Sequence, residues 1–313
     1  MDTTRTLLRA GAGLLGVGVT GLGYASLIER NAFVLRRVTV PVLPPGADEV
    51  RVLQLSDIHL VPRQRRKMAW IRDLERFAPD LVVNTGDNLA ALDAVPAALD
   101  AMGPLLARPG VFVLGSNDYF APSAKNPARY LTRHHAKGVG TQPRLPTEDL
   151  VTGMRGAGWL DLTNRRDRIT VRGLDIELVG VDDPHLGYDR YDEVAGPADP
   201  TADLTLGVVH APYQRVLDAM TRDGATFVIA GHTHGGQLCV PGYGALVTNC
   251  DLDRRRAKGL SRWWPGAEGA PSTQAPADAA WLHVSAGLGT SPYAPVRFAC
   301  RPEATLMTLV PRS

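Results

Sequence analysis

The sequence VRVLQLSDIH, residues 50–59, predicts a strand that ends in polar residues. Its apolar run is typical of a buried strand, and Asp57 and His59 follow it directly. A helical pattern over Gln64–Phe77 comes next, and LVVNTGD at Leu81–Asp87 predicts a second buried strand. Because strands that alternate with helices form βαβ units, the sequence predicts an α/β fold with a largely parallel sheet.

The same alternation continues through the rest of the chain. The remaining predicted strands are VFVLGSND (111–118), IELVGVDD (176–183), LTLGVVHAP (204–212), FVIAGHTHGGQ (227–237) and two last strands near 281–286 and 304–310; the remaining helices are Ala90–Ala107, broken near Gly103-Pro104, and about 212–222. These elements predict one domain over residues 45–313. Two segments depart from the pattern: about 121–168 is polar and irregular and predicts an insertion with a short helix, and about 263–281 is rich in Pro, Ala and Gly and predicts a flexible surface loop.

Composition excludes several classes of protein. The 313 residues are 44% hydrophobic and 21% charged, as in ordinary globular proteins. The net charge of +2 is too balanced to indicate nucleic-acid binding. Cys239, Cys250 and Cys300 are odd in number and not arranged as CxxC, so we expect buried thiols rather than disulfides or a structural zinc site.

The N-terminus carries an uncharged stretch, Ala10–Ile28, that is just long enough to span a bilayer as a helix. Arg5 and Arg9 precede it and favour an orientation that leaves the rest of the chain outside the cytoplasm. Residues 1–30 are therefore expected to form a transmembrane or signal-anchor helix that places the protein at the cell membrane, on the extracytoplasmic side. A cleaved signal peptide, with Gly23-Tyr24-Ala25 as its cleavage site, and a buried or interfacial helix are the alternatives.

Polar residues of metal-ligand type follow five of the predicted strands. They are Asp57 and His59, then Asp87, then Asn117 and Asp118, then His210, and finally His232 and His234 within GHTHGG. Ligands of open α/β sheets bind beyond the carboxyl ends of strands, where the loops converge. Each motif alone is typical of a helix cap, a turn or a core histidine, but together they favour one shared metal site.

At this point the chain resembles the calcineurin-like metallophosphoesterase superfamily, whose signature runs D-x-H, G-D, G-N-H-D, H and G-H-x-H. The matches extend from Asp57 to about residue 310. The stretches Gly180–Pro184, GHTHGGQ and GLGTSPYAPVRFACRPE resemble the bacterial membrane- or wall-associated branch similar to the YkuE and YaeI proteins. The resemblance implies a four-layer αββα sandwich and two divalent metal ions.

Carried over residue by residue, the resemblance implies two ligand sets that share Asp87. One ion would be held by Asp57, His59, Asp87 and His234, and the other by Asp87, Asn117, His210 and His232. Carboxylate, imidazole and amide-oxygen ligands without thiolate suit Mn, Fe or Zn. Two such ions about 4 Å apart activate a bridging hydroxide for in-line attack on phosphorus. Asp182 and Asp183 are candidates for supporting this site from a neighbouring loop.

The third strand departs from the family pattern. An ungapped match places Ser116 where the family has its metal-binding Asn, and Asn117 where it has the His that helps protonate the leaving group. Either the loop shifts so that the Asn117 amide oxygen reaches the metal, which we favour because Asn is the better neutral oxygen ligand, or Ser116 or a water fills that position. In both cases the general acid is missing from its usual place. Water, Asp118 or a residue of the 121–168 insertion, which contains His134-His135, is the expected substitute.

The sequence therefore predicts a membrane-anchored, binuclear metal-dependent phosphoesterase. The anchor makes a lipid-linked or envelope phosphoester a plausible substrate. Alternatives within the same class are a nucleotide phosphodiesterase and a phosphoprotein phosphatase. An alternative from another class is a metal-binding envelope protein with weak or lost catalysis, since the histidine acid is absent. The sequence predicts no oligomeric state.

Overall fold

The computed structural model describes residues 18–124 and 142–312. Residues 18–23 are helical and continue into a π-helical turn at Tyr24–Ile28 and a 3-10 turn at Glu29–Asn31. Across these two described ranges, every helix is too short or too polar to cross a membrane. Residues 1–17 of the expected anchor lie outside the described residues.

The described residues form fourteen strands and five α-helices. The strands are β1 (Val34–Leu43), β2 (Val50–Leu55), β3 (Leu81–Asn84), β4 (Gly110–Phe112), β5 (Leu160–Asp161), β6 (Arg165–Val171), β7 (Leu174–Gly180), β8 (Leu204–Val209), β9 (Phe227–Ala230), β10 (Cys239–Val240), β11 (Gly244–Ala245), β12 (Gly259–Trp263), β13 (Ala280–Val284) and β14 (Glu303–Pro311). The helices are α1 (Arg65–Asp73), α2 (Val95–Leu106), α3 (Ser116–Tyr119), α4 (Thr147–Gly156) and α5 (Gln214–Arg222).

Two six-stranded mixed sheets carry the fold. The first has the order β1-β14-β2-β3-β4-β5, in which only the β14–β2 pair is antiparallel. The second has the order β12-β13-β9-β8-β7-β6, with a parallel centre and an antiparallel strand at each edge. The small β10–β11 pair is antiparallel and separate from both sheets. The predicted α/β fold is confirmed, with antiparallel pairs that the sequence pattern did not indicate.

Three hydrophobic cores join the sheets and helices. Side chains such as Val83 of the first sheet and Ile229 of the second share a core between the two sheets. Helices α1, α2 and α4 cover the other face of the first sheet, and α5 packs with Val228 and Leu282 of the second sheet. Helix, sheet, sheet and helix therefore succeed one another across the domain. Each fully buried aliphatic side chain contributes about 1.5–3 kcal/mol.

The segment 121–168 contains elements of both sheets. Helix α4 contributes Leu150 and Met154 to the first core, and it is followed by β5 and by the start of β6. Core structure therefore resumes at Leu145, which leaves a shorter excursion than the sequence pattern indicated. Residues 125–141, which include His134-His135, lie outside the described residues.

The connection from β12 to β13 is tied to the domain by Arg256. Arg256 is only 3% exposed, and its guanidinium group donates to the carbonyl oxygens of Ala267 and Ala270 at 3.2 and 2.8 Å. It also binds the Asp253 carboxylate and lies over the rings of Trp263 and Trp264. Trp263 itself is buried, so the tryptophan pair belongs to the packed part of the domain.

Replacing Arg256 tests whether this anchor orders the segment after β12. We expect Arg256→Gln to lower the free energy of unfolding by about 3–5 kcal/mol, because it removes the buried guanidinium from its ion pair with Asp253 and leaves several carbonyl groups without a donor. Limited proteolysis with thermolysin should then cut within residues 264–279. Arg63→Gln, at an exposed position away from this segment, is the control and should change stability by less than about 0.5 kcal/mol. Equal stability and equal cleavage of the two variants would contradict this account.

Candidate metal centre

Strained backbone positions aim the candidate ligands at one cleft. Five of them have positive φ angles in the left-handed region: Asp57 (47°), His59 (43°), Asp87 (57°), His232 (67°) and His234 (50°). Residues other than glycine rarely adopt this conformation, which costs of order 1–3 kcal/mol each. Six other non-glycine residues among those described also have positive φ angles, but these five are all candidate ligands at successive strand ends, which indicates a site that the surrounding fold holds in place.

Glycines next to the ligands leave room for this close packing. A Cβ atom on Gly115 would lie 2.4 Å from Asp87 Oδ1 and 2.6 Å from the His210 ring. A Cβ atom on Gly231 would lie 2.0 Å from Ser56 Oγ and 2.7 Å from Asp57 Oδ2. Any larger residue at either position would displace a carboxylate that faces the cleft.

Four of the candidate ligands converge in a first group. Asp57, His59, Asp87 and His234 each offer a ligand atom, and these atoms lie within 4.8 Å of one another. His59 Nε2 is 3.2 Å from His234 Nε2 and 3.3 Å from Asp87 Oδ2. His234 Nε2 is 3.6 Å from Asp57 Oδ1. Two carboxylates and two imidazoles at this spacing fit one divalent ion of the Mn, Fe or Zn type.

The other candidates lie on the opposite side of Asp87. His210 Nε2 is 3.6 Å from Asp87 Oδ1, and the ring centroids of His210 and His232 are 5.2 Å apart. The backbone N–H of Asn117 donates to Asp87 Oδ1 at 2.6 Å. The structure thus brings all seven predicted ligands into one region, with Asp87 between the two groups.

Hydrogen bonds to the backbone orient two of the imidazoles. His210 Nδ1 donates to the Thr85 carbonyl at 2.6 Å, so once the ring is neutral its lone pair lies on Nε2. This Nε2 is buried, and it has no hydrogen-bond partner within residues 18–124 and 142–312. His232 Nε2 lies 3.1 Å from the Asn249 carbonyl, which directs Nδ1 toward the cleft. Bonds of this kind set the tautomer of metal-binding histidines, and the orphaned nitrogen of His210 supports a metal fit.

Arg297 supports His234, and sequence reasoning did not identify it. Its buried guanidinium donates to the carbonyl oxygens of Ala286 and Gly289, both at 2.7 Å, and its Nη2 lies 3.4 Å from His234 Nδ1. The residue falls within GLGTSPYAPVRFACRPE, the stretch that resembles the bacterial branch. That resemblance is the only signal in the sequence that pointed to this region.

Asp118 organises the loops after β3 and β4. Its carboxylate accepts the backbone N–H groups of Asp87 and Asn88, both at 2.8 Å, and that of Gly115 at 3.0 Å. It is fully buried and does not line the cleft. Since both of its oxygens are used in these bonds, we assign Asp118 to positioning Asp87 rather than to proton transfer.

Ser116 and Asn117, the two residues of GSND (115–118) that depart from the family pattern, have different contacts. Ser116 Oγ donates to Asp183 Oδ2 at 2.6 Å, which links the first sheet to the loop after β7. The Asn117 amide nitrogen donates to the Phe120 carbonyl at 3.0 Å, and the side chain lines the cleft. Asp182 accepts the Tyr119 hydroxyl proton at 2.8 Å. Both acidic residues of the loop after β7 therefore bind the segment that carries Asn117.

Three of the four candidate histidine ligands have lowered pKa values. Burial lowers the pKa of His59 and His232 well below the usual value, and it lowers the pKa of His234 to about 3. These imidazoles are neutral at pH 7, the form that binds metal.

Asp87 and His210, in contrast, both have raised pKa values. Burial raises the pKa of Asp87 to about 8, with a further increase from Asp57 and Asp118 that His210 opposes. Burial alone would lower the pKa of His210, but the nearby carboxylates, Asp87 first, outweigh it and raise this pKa to about 9. The pair therefore retains protons at neutral pH in the metal-free protein.

The cleft over the two groups has a volume of about 730 Å³. Its floor is polar and includes His59, Asp87, His232 and His234. Its outer walls are mostly apolar, and they are formed by Phe120, Ala121, Pro122, Leu238, Leu246, Val247, Tyr293, Ala294, Pro295 and Val296. A polar floor beneath apolar walls is suited to a ligand with a charged reacting group and an apolar remainder.

Comparison with known families decides the class of this site. The family model described as calcineurin-like phosphoesterase matches residues 50–236, which is more than half of the chain. The chain belongs to the calcineurin-like phosphoesterase family. It is accordingly a metal-dependent phosphoester hydrolase, and the resemblance that the strand-end motifs indicated is confirmed.

Relatives extend the similarity beyond the family model. Phosphodiesterase YaeI of Escherichia coli is 26% identical over 316 residues, covering 99% of this chain and 100% of that protein. The uncharacterized metallophosphoesterase YkuE of Bacillus subtilis is 26% identical over 320 residues, covering 97% of this chain and 96% of the relative. A bovine transmembrane protein with metallophosphoesterase domain is 26% identical over 258 residues, covering 80% of this chain. The match spans about half of the bovine protein, 55% of its length.

Metal binding should depend on pH because ions compete with the protons on Asp87 and His210. We expect the affinity for Mn²⁺ to rise between about pH 6 and pH 9, with net proton release at neutral pH. Isothermal titration calorimetry in two buffers of different ionisation enthalpy measures both quantities. His210→Gln should reduce the proton release. Affinity that is independent of pH, with no protons released, would contradict the protonation state described above.

Proposed function

We propose that the chain is a binuclear phosphodiesterase with the two ligand sets that share Asp87. The first set is Asp57, His59, Asp87 and His234, and the second is Asp87, Asn117, His210 and His232. The observation that carries this proposal is the position of Asp87, whose Oδ2 faces His59 and whose Oδ1 faces His210. Asn117 is included in the second set because it lines the cleft and donates its backbone N–H to Asp87 Oδ1.

The residues of the chain have defined tasks in this reaction. Bound divalent ions would supply activation of water and neutralisation of charge on the phosphoryl group. The carboxylates of Asp57 and Asp87 would hold the ions, and the backbone bonds of His210 and His232 would favour the ligating tautomer of each imidazole. Asp57, Asp87 and His210 are buried, and their low-dielectric surroundings strengthen electrostatic interactions at the site. We infer a preference for diesters from the similarity to the Escherichia coli relative, which is a phosphodiesterase by name.

Activity assays on the full-length chain in detergent test the proposal. With added Mn²⁺, Zn²⁺ or Fe²⁺, we expect hydrolysis of bis-p-nitrophenyl phosphate in preference to p-nitrophenyl phosphate. Asp87→Asn should lower kcat by at least about 10³-fold, since it removes the carboxylate shared by both sets. Asp100→Asn, at an exposed position of α2, is the matched control and should retain wild-type turnover. Bound metal without turnover of any phosphoester would instead favour a metal-binding protein.

Exposed apolar residues extend from the cleft walls to the N-terminal segment. Those at the cleft and its surroundings are Leu238, Val240, Tyr243, Leu246, Tyr293 and Phe298, and those before β1 are Val19, Leu22, Tyr24, Leu27 and Ile28. The two groups meet where the Tyr24 and Phe298 rings lie edge to face, with centroids 6.4 Å apart. The Arg297 N–H also donates to the Ala25 carbonyl at 3.1 Å. Apolar surface of this kind marks an interaction site rather than ordinary exposure.

We infer from this surface that the substrate is a phosphoester with an apolar chain, presented at a membrane. The apolar stretch Ala10–Ile28 ends against the same surface, so a membrane that holds the N-terminus would lie near the cleft mouth. A lipid-linked or envelope phosphodiester fits both the polar floor and the apolar walls. The location at the cell membrane, with the domain on the extracytoplasmic side, belongs to the same proposal.

Chain-length dependence tests this substrate class. In mixed micelles, kcat/KM should be higher for a long-chain alkyl p-nitrophenyl phosphodiester than for the methyl analogue. Replacing both Leu238 and Tyr293 by Ser should reduce that ratio by about tenfold or more, since about 0.8 kcal/mol is lost for each methylene no longer buried. Leu92→Ser, which alters an exposed leucine that does not line the cleft, should preserve the ratio. A wild-type ratio near one would argue for a soluble substrate such as a nucleotide.

A further inference from the structure

Hydrolysis of an unactivated phosphoester needs a proton donor for the departing oxygen, and a positioned acid contributes about 10²–10⁴-fold. The residue in the usual place of that acid is Asn117, which has no proton to transfer. Asp118 is occupied by three backbone N–H groups. The proton donor must therefore be another side chain that reaches the cleft.

The chain has eight histidines, and the described residues contain six of them. Four are the candidate metal ligands. His283 is buried within the second sheet, where its Nδ1 lies 2.7 Å from Gln54 Oε1. The remaining one is His185, which lines the cleft together with Asp87 and Asn117.

His185 approaches the cleft from the second sheet. It follows β7, whereas Asn117 follows β4 of the first sheet, so the two residues reach the site from opposite sheets. Its ring centroid is 4.5 Å from that of His232. An imidazole here is close to the second ligand group and is not itself one of the predicted ligands.

Ser116, which also departs from the family pattern, is linked to His185 through the Asp183 carboxylate. The His185 backbone N–H donates to Asp183 Oδ1 at 2.8 Å, and Ser116 Oγ donates to the other oxygen of the same carboxylate. His185 Nδ1 lies 3.1 Å from the Tyr213 hydroxyl. The departure from the family pattern at Ser116 and Asn117 therefore coincides with a contact to the His185 loop. Asp183 makes this contact by accepting from both Ser116 and His185.

We propose that His185 is the general acid of this enzyme, in place of the histidine missing at position 117. As the bond from phosphorus to the leaving oxygen breaks, the Nε2 proton of His185 passes to that oxygen, and solvent water later restores it. The net reaction consumes one water and releases an alcohol and a phosphate monoester. Tyr213 acts as a positioning residue through Nδ1. This inference rests on the proposed phosphodiesterase function.

Leaving-group dependence tests the assignment in the metal-loaded, full-length enzyme. A series of methyl phosphodiesters with p-nitrophenyl, phenyl and alkyl leaving groups is compared for wild type and His185→Gln. We expect kcat to fall about 10²–10⁴-fold for the alkyl ester and less than about tenfold for the p-nitrophenyl ester, whose oxyanion leaves without protonation. Metal content and the affinity for inorganic phosphate should stay at wild-type values.

Tyr213→Phe is the second variant, because it keeps the imidazole and removes only its Nδ1 partner. It should show a smaller loss with the same dependence on the leaving group. A uniform loss across the series in His185→Gln, with metal retained, would overturn the acid assignment and leave the phosphodiesterase function standing. A wild-type enzyme that binds metal but turns over none of the esters would overturn both.

Discussion

Two carboxylates brought together in a buried cleft, Asp57 and Asp87, place the main constraint on this structure. Like charges in a low-dielectric site are unstable unless cations or protons compensate them. In the metal-free protein this compensation comes from the protons of the Asp87–His210 pair and from backbone N–H groups, of which that of Asn117 donates to Asp87 and that of His232 donates to Asp57. The close packing of the two carboxylates also accounts for the glycines, since a side chain at Gly115 or Gly231 would displace them. The strained φ angles are the conformational cost of assembling the site.

Much of the fold could be predicted from sequence because buried parallel strands have continuous apolar runs. Strands β2, β3, β8 and β9 were found in this way. Strand β1 was missed, since exposed arginines interrupt its pattern and its only partner, β14, lies at the far end of the chain. The antiparallel strand β6 was missed for a similar reason: its charged residues lie at a sheet edge, and only pairing with β7 makes them a strand.

The candidate ligands could be predicted because they occupy strand ends, where chain order already implies proximity. Of the supporting residues, Asp183 was a candidate from its place in the loop after β7, but Arg297 and His185 could not be predicted. They reach the centre through loops whose positions depend on tertiary packing, and nothing in their local sequence indicates which side chain they contact. Asp118 was identified as a candidate acid from its place in the motif, while its hydrogen bonds identify a positioning role. Residue type predicted that the site binds metal, but it did not predict the role of each residue within the site.

The account depends on two ions sharing Asp87. Anomalous diffraction from a crystal of the manganese-loaded protein tests this most directly. We expect two anomalous peaks about 3.5–4 Å apart, one beside His59 and His234 and the other beside His210 and His232. Asp87 should lie between them with one oxygen directed at each. A single peak, or a second ion held away from His210 and His232, would contradict the binuclear centre.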